Sequence, residues 1–207
     1  PVYVVCVPLL LYLNLAANPS WTAVSSDFVK ISSGTTHSGT DLIFDNLDWS
    51  TYKTFKIHME GMYGPRGGHY LAARFRYNNS GTQTTYTGSA YRYAIGGRHT
   101  GTSTGNTGET SGTGNQDKLR LNWALSDNAV DTQDIMITFM DWNQTSHFKQ
   151  MYIEVYGNYA NGGNDYTMFL DGICQSRDNS TAYNGINLFI SNSSTWYAKS
   201  YTLYGIK

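Results

Sequence analysis

Apolar and polar residues alternate with a period of two in short runs from one end of the chain to the other. In Thr54–Gly61 (TFKIHMEG), Phe55, Ile57 and Met59 alternate with Lys56, His58 and Glu60. In Lys118–Leu125 (KLRLNWAL), Leu119, Leu121, Trp123 and Leu125 alternate with Lys118, Arg120 and Asn122, and Gln150–Tyr156 sets Met151, Ile153 and Val155 on one face. Alternation of this kind turns one face of a β-strand to a core and the other to water. Ala23–Ile31, Asp41–Asn46, Tyr70–Tyr77, Thr84–Ala94, Asp134–Met140, Tyr166–Cys174, Gly185–Ser191 and Ser200–Tyr204 read the same way. Gly, Asn and Ser punctuate the runs as turns do. No helical stripe of useful length appears. A single helical turn is predicted at Asp48–Lys53, with Asp48 as its cap.

These elements predict an all-β fold, one antiparallel β-sandwich spanning residues 1–207, jelly-roll-like, with about ten to twelve strands. Its core should draw on Phe55, Ile57, Leu71, Phe75, Leu119, Leu121, Trp123, Ile135, Ile137, Phe139, Ile153, Val155, Phe169, Leu188, Ile190 and Leu203. The last strand, Ser200–Ile206, should pair within a sheet. Gly96–Gln116 is the one low-complexity stretch, with Gly and Thr at thirteen of twenty-one positions and no large apolar side chain. It predicts a long surface loop, either a partner contact or a mobile excursion. Arg98, His99, Asn106 and Glu109 are its longest or most hydrogen-bonding side chains and its candidate anchors to a partner.

Composition narrows the chemistry. Charged residues make up 14% of the chain, against the roughly 25% of an ordinary globular protein, and aromatics another 14%. The surface must therefore be hydroxyl- and amide-rich. Net charge is −1, and the fourteen Lys and Arg form no basic run, which argues against nucleic acid and against a polybasic membrane patch. The apolar stretch Val2–Leu15 is broken by Pro8 and Asn14 and too short to span a bilayer, so it reads as folded chain with no membrane insertion. Cys6 and Cys174 each sit among apolar neighbours, as two buried thiols or as one disulfide.

Catalytic signatures are sparse. Glu60, Glu109 and Glu154 are the only glutamates; Glu60 and Glu154 would face one another only if their strands were neighbours. His37, His58, His69, His99 and His147 show no metal-ligand spacing. Asp127, Asn128, Asp131 and Asp134 form either a turn cluster or a set of hard oxygen ligands for calcium. Trp49, Trp142 and Trp196 lie beside turn residues, where aromatics stack on sugars, enter protein interfaces, or close the ends of a sandwich. The reading is a non-enzymatic protein with no catalytic residue, no cofactor and no metal.

The C-terminal stretch runs Tyr183-Asn184-Gly185-Ile186-Asn187-Leu188-Phe189-Ile190, then a Ser/Asn turn, then Ser200-Tyr201-Thr202-Leu203-Tyr204-Gly205-Ile206-Lys207. It resembles the closing hairpin of a diverse group of tailed-bacteriophage virion proteins of the tail-fibre and structural type. The Leu-rich opening (Leu9–Leu15), the turn Leu47-Asp48-Trp49-Ser50-Thr51-Tyr52 and the strand Tyr52–Ile57 fit the same plan. Where such chains often carry Gly-Thr before the last strand, this one has Lys199-Ser200-Tyr201. The resemblance implies a β-sandwich virion component, commonly oligomeric, and names no receptor; the reading is a tail-fibre or appendage module on the outer surface of the virion that binds other virion proteins, a host-surface glycan or a host protein. It also implies a homo-oligomer, with a trimer favoured. A capsid decoration protein and a secreted lectin-like carbohydrate-binding domain are the alternatives.

Overall fold

The computed structural model describes residues 27–65, 68–100, 106–161 and 164–207. Fifteen strands and no helix occur among the described residues. They are β1 (Phe28–Gly34), β2 (His37–Gly39), β3 (Asp41–Phe44), β4 (Thr54–Met62), β5 (Leu71–Asn79), β6 (Thr82–Thr85), β7 (Tyr91–Thr100) and β8 (Asn106–Gln116). There follow β9 (Leu119–Arg120), β10 (Gln133–Met140), β11 (Lys149–Asn161), β12 (Asn164–Ser176), β13 (Gly185–Ile190), β14 (Trp196–Ala198) and β15 (Ser200–Ile206). Cys6 and the stretch Val2–Leu15 lie outside the described residues.

An eight-stranded sheet runs β1-β15-β4-β10-β11-β12-β7-β8 and a second runs β3-β13-β5-β6, with β9 also on β5. Along the chain, β1, β3, β4, β5, β6, β10, β13 and β15 pass back and forth between these sheets. Their spatial orders, β1-β15-β4-β10 and β3-β13-β5-β6, are those of a jelly roll built from two Greek keys. The hairpins β7–β8 and β11–β12 are additions to that framework, and both extend the same sheet. The final strand, β15, is held between β1 and β4, so the C-terminus is tied into the sheet interior.

The alternation fixes which side chains fill the space between the sheets. Phe55, Ile57 and Met59 of β4, Ile135, Ile137 and Phe139 of β10, and Met151, Ile153 and Val155 of β11 are buried. They join one cluster with Leu71, Phe75, Ile186, Leu188 and Ile190 of the opposing sheet. Of the sixteen expected core residues, Trp123 is half-buried and Phe169 is exposed. On β12 the inward parity belongs to Met168, Leu170 and Cys174, which turns Phe169 outward.

Two expected elements differ, and the capped turn at Asp48–Lys53 forms as expected. Only Leu119–Arg120 of the run Lys118–Leu125 is strand. The Asn122 side chain accepts from Leu71 N at 2.8 Å, and Arg120 donates to the carbonyls of Asn122 and Trp123, so the backbone leaves the ladder while Leu121 and Leu125 stay buried. Asp48–Lys53 is a single turn closed by Tyr52 N to Asp48 O, and the Asp48 carboxylate accepts from Ser50 N and Thr51 N. Gly96–Gln116 is not a long loop. Its ends are strand, and β7 and β8 pair antiparallel from Tyr91↔Gln116 to His99↔Asn106. Threonine favours the extended backbone, and an edge strand needs no large apolar side chain to form its ladder.

Candidate functional site

The residues marked by sequence scatter. Trp142 and Trp196 are wholly buried and Trp49 nearly so. Trp142 lies 4.0 Å from the Phe75 ring and 4.1 Å from Phe139, and its Nε1 donates to Gln150 O. Trp196 packs 4.2 Å from His37 and donates to Thr40 O. These tryptophans close the sandwich, and burial takes them off the accessible surface. Glu60 and Glu154 do not face each other, because β10 separates β4 from β11. Glu60 instead accepts from Ser200 Oγ. In the acidic loop, Asn128 donates to Asp131 and caps Val130 N as turn residues do, while Asp134 accepts from Gly61 N of the neighbouring strand β4. Cys174 is a free buried thiol, and burial pushes its pKa up.

Arg98, His99, Asn106 and Glu109 fall on the β7–β8 hairpin. Arg98 is exposed on the outer face of the large sheet; His99 and Asn106 are register partners near the tip, and Glu109 lies opposite Gly96. The hairpin brings this sequence beside β12, and the outer face built there carries exposed apolar residues on adjacent strands.

Three cross-strand rows define that face. One runs Thr138, Tyr152, Ile173, Ala94, Ser111 across β10, β11, β12, β7 and β8. The next runs Met136, Glu154, Asp171, Gly96, Glu109, and the third runs Asp134, Tyr156, Phe169, Arg98, Thr107. Tyr152, Tyr156, Phe169 and Ile173 are each between 41% and 47% exposed, and Met140 and Phe148 continue the band at one end. Tyr156 and Phe169 pack ring to ring at 5.1 Å. Single exposed apolar residues are ordinary; four on two adjacent strands, interleaved with the carboxylates Glu154 and Asp171, form a patch. Glu154 and Asp171 are register partners, and like charges directly opposite on neighbouring strands disfavour the sheet.

Toward β8 the face sinks. The outward positions of β7 between Arg92 and Arg98 are Ala94 and Gly96, and small side chains leave two adjoining depressions of about 380 and 360 Å³. Ala94, Ser111 and Ile173 line both. Gly97 and Gly172 permit the close strand approach beneath: a Cβ on Gly97 would stand 2.1 Å from Phe169 O, and one on Gly172 2.6 Å from Ala94 O. No sequence signal marked Tyr152, Tyr156, Asp171, Ile173 or Arg92, because alternating apolar and polar residues cannot say which face has a partner.

No protein-family model, no curated protein and no solved structure matches this chain. The fold defines its class, a jelly-roll β-sandwich with one enlarged sheet.

Proposed function

We propose that the chain is a non-enzymatic attachment module on the outer surface of a phage virion, binding a surface partner through the exposed face of its eight-stranded sheet. The observation that carries the reading is the band Tyr152, Tyr156, Phe169 and Ile173, exposed together on β11 and β12. Jelly rolls recur among capsid proteins and lectins, but that analogy only sets the class; the site carries the function. The motif likeness at the C-terminus supports the virion setting. A homo-oligomer, with a trimer favoured, would present several copies of the face and multiply a weak contact.

Antibody against the purified chain should decorate intact particles, and the purified chain should compete with those particles for adsorption to host cells. A Tyr156→Ser/Phe169→Ser variant should compete at least tenfold less well while keeping its circular dichroism spectrum. Absence of the chain from particles, or undiminished competition by the variant, overturns the proposal.

A further inference from the structure

We infer that the depression over β12, β7 and β8 is an oligosaccharide site that prefers a glycan bearing an acidic sugar, with Arg92 as the carboxylate-binding residue. The inference rests on the attachment reading and names the ligand of the same face.

Size comes first. The adjoining depressions have volumes of the order of small-ligand sites, about 300–1,000 Å³. They cross the strands instead of following one, so the site does not offer a peptide an edge to extend. From β12 to β8 is two strand spacings, about 10 Å, a span that suits a short oligosaccharide.

Chemistry then separates sugars from other small ligands. The floor, Ala94 and Gly96, is flat and small. Ile173 offers an apolar flank, and Tyr152, its register partner on β11, an adjoining aromatic one. Sugar rings present C–H faces that pack on such surfaces. Around the floor stand the Ser111 hydroxyl, the Asp171 carboxylate and the Gln175 amide, groups that accept from and donate to ring hydroxyls.

Arg92 supplies the charge selectivity. It lines the second depression, opposite Gln175 in the register. Its Nε is sealed from solvent and has no hydrogen-bond partner among the described residues. A buried donor left unmade is costly, and a turn of the half-buried guanidinium that brings Nε to a ligand oxygen in the depression removes the penalty. A guanidinium pairs best with a planar carboxylate. The register of the neighbouring strand shifts at this point: Tyr91 pairs with Gln116 and Tyr93 with Gly112. Irregularities of this kind re-aim side chains near binding sites. The far end of the face carries Asp171 and Glu154, which would repel a second acid. The site therefore fits one acidic sugar at Arg92 followed by neutral ones.

The test is a glycan microarray of neutral and acidic surface oligosaccharides probed with the fluorescent full chain, followed by titration calorimetry on the best glycan. Variants are Arg92→Gln, and Ala94→Phe, which fills the depression from an exposed strand position. Val130→Ser, at an exposed loop position away from the face, is the control. Signals should concentrate on glycans with uronic or sialic-type acids. Arg92→Gln should weaken these about 10- to 100-fold while sparing neutral glycans, and Ala94→Phe should abolish both. Equal affinity for neutral and acidic glycans, unchanged by Arg92→Gln, overturns the role of Arg92. Binding undiminished in folded Ala94→Phe overturns the site. If no glycan binds while the chain still competes for cell adsorption, the ligand is a protein: this inference fails and the attachment function stands. Failure of both arms removes both.

Discussion

Replacing Asn122 by Ala tests how the strand-breaking segment after β9 supports the sheet that carries the groove. Asn122 is fully buried. Its Oδ1 accepts from Leu71 N at 2.8 Å, and its Nδ2 donates to Gln133 Oε1 at 2.8 Å and to Ala124 O at 3.3 Å. Gln133, also buried, spends its own Nε2 on Ala124 O at 2.6 Å and on Asn158 O at 3.2 Å. The two amides thus tie β5, the 121–126 segment, β10 and β11 into one satisfied network. The Ala variant orphans the Leu71 N–H and Gln133 Oε1, while Ala124 O keeps its Gln133 donor. Two buried orphans at about 1–3 kcal/mol each predict a loss of about 2–6 kcal/mol. For a chain of this length that lowers the melting temperature by roughly 2–4 °C per kcal/mol. Urea denaturation should show the midpoint falling with an unchanged slope. In a double-mutant cycle with Gln133→Ala, the two losses should be non-additive by about 1 kcal/mol or more, since the second change removes an orphan created by the first. A loss below about 1 kcal/mol in Asn122→Ala, or strict additivity, would refute the network argument.

Three further outcomes follow from the core. Burial alone would raise the pKa of Asp178, but hydrogen bonds from Ser180, Thr181 and Tyr183 outweigh it and hold the carboxyl well below its ordinary 3.8. Its contribution is therefore complete above pH 4 and lost as pH falls further; melting temperature should drop below about pH 4, and Asp178→Asn should be less stable at neutral pH with a flatter acid limb. Burial raises the pKa of the Cys174 thiol, so in a Cys6→Ser background it should resist a thiol reagent until denaturant is added, and rapid native labelling would contradict the burial. Gly205 lies against the Tyr52 ring: an added Cβ would stand 2.5 Å from Tyr52 Cδ1 and 2.8 Å from Ile31 Cδ1. Gly205→Val should destabilise by about 1–3 kcal/mol, measured by calorimetry, with part regained in Tyr52→Ala.

Period-two alternation carried most of the fold into view. It sufficed for β4, β10 and β11, whose apolar residues share one parity. It failed where parity was ambiguous or side chains small. The run Met168-Phe169-Leu170 is apolar on both faces, and only packing of Leu170 and Cys174 decides that Phe169 looks outward. The β8 strand has no apolar signature because its stability comes from the ladder to β7, which local sequence does not display. The tryptophans left several readings open, and burial of Trp49, Trp142 and Trp196 selects the one in which they close the ends of the sandwich.

The candidate site was illegible for a related reason. A jelly roll of eight strands already closes a core, and that core is what alternation reports. The outer rows on β7, β8, β11 and β12 belong to the two hairpins added to the framework, and in the proposed function their outward residues answer to a partner. Such residues can be aromatic, acidic or absent without changing the period. Their meaning emerges only when register sets Tyr152 beside Ile173, Ile173 beside Ala94, and Asp171 beside Gly96. The buried framework holds the backbone of β11 and β12 rigid, and Gly172 and Gly97 let β12 and β7 approach closely beneath the groove. The proposed recognition on this sheet therefore needs no loop to order, which spares the roughly 1–2 kcal/mol of backbone entropy per residue that a loop site would lose on binding.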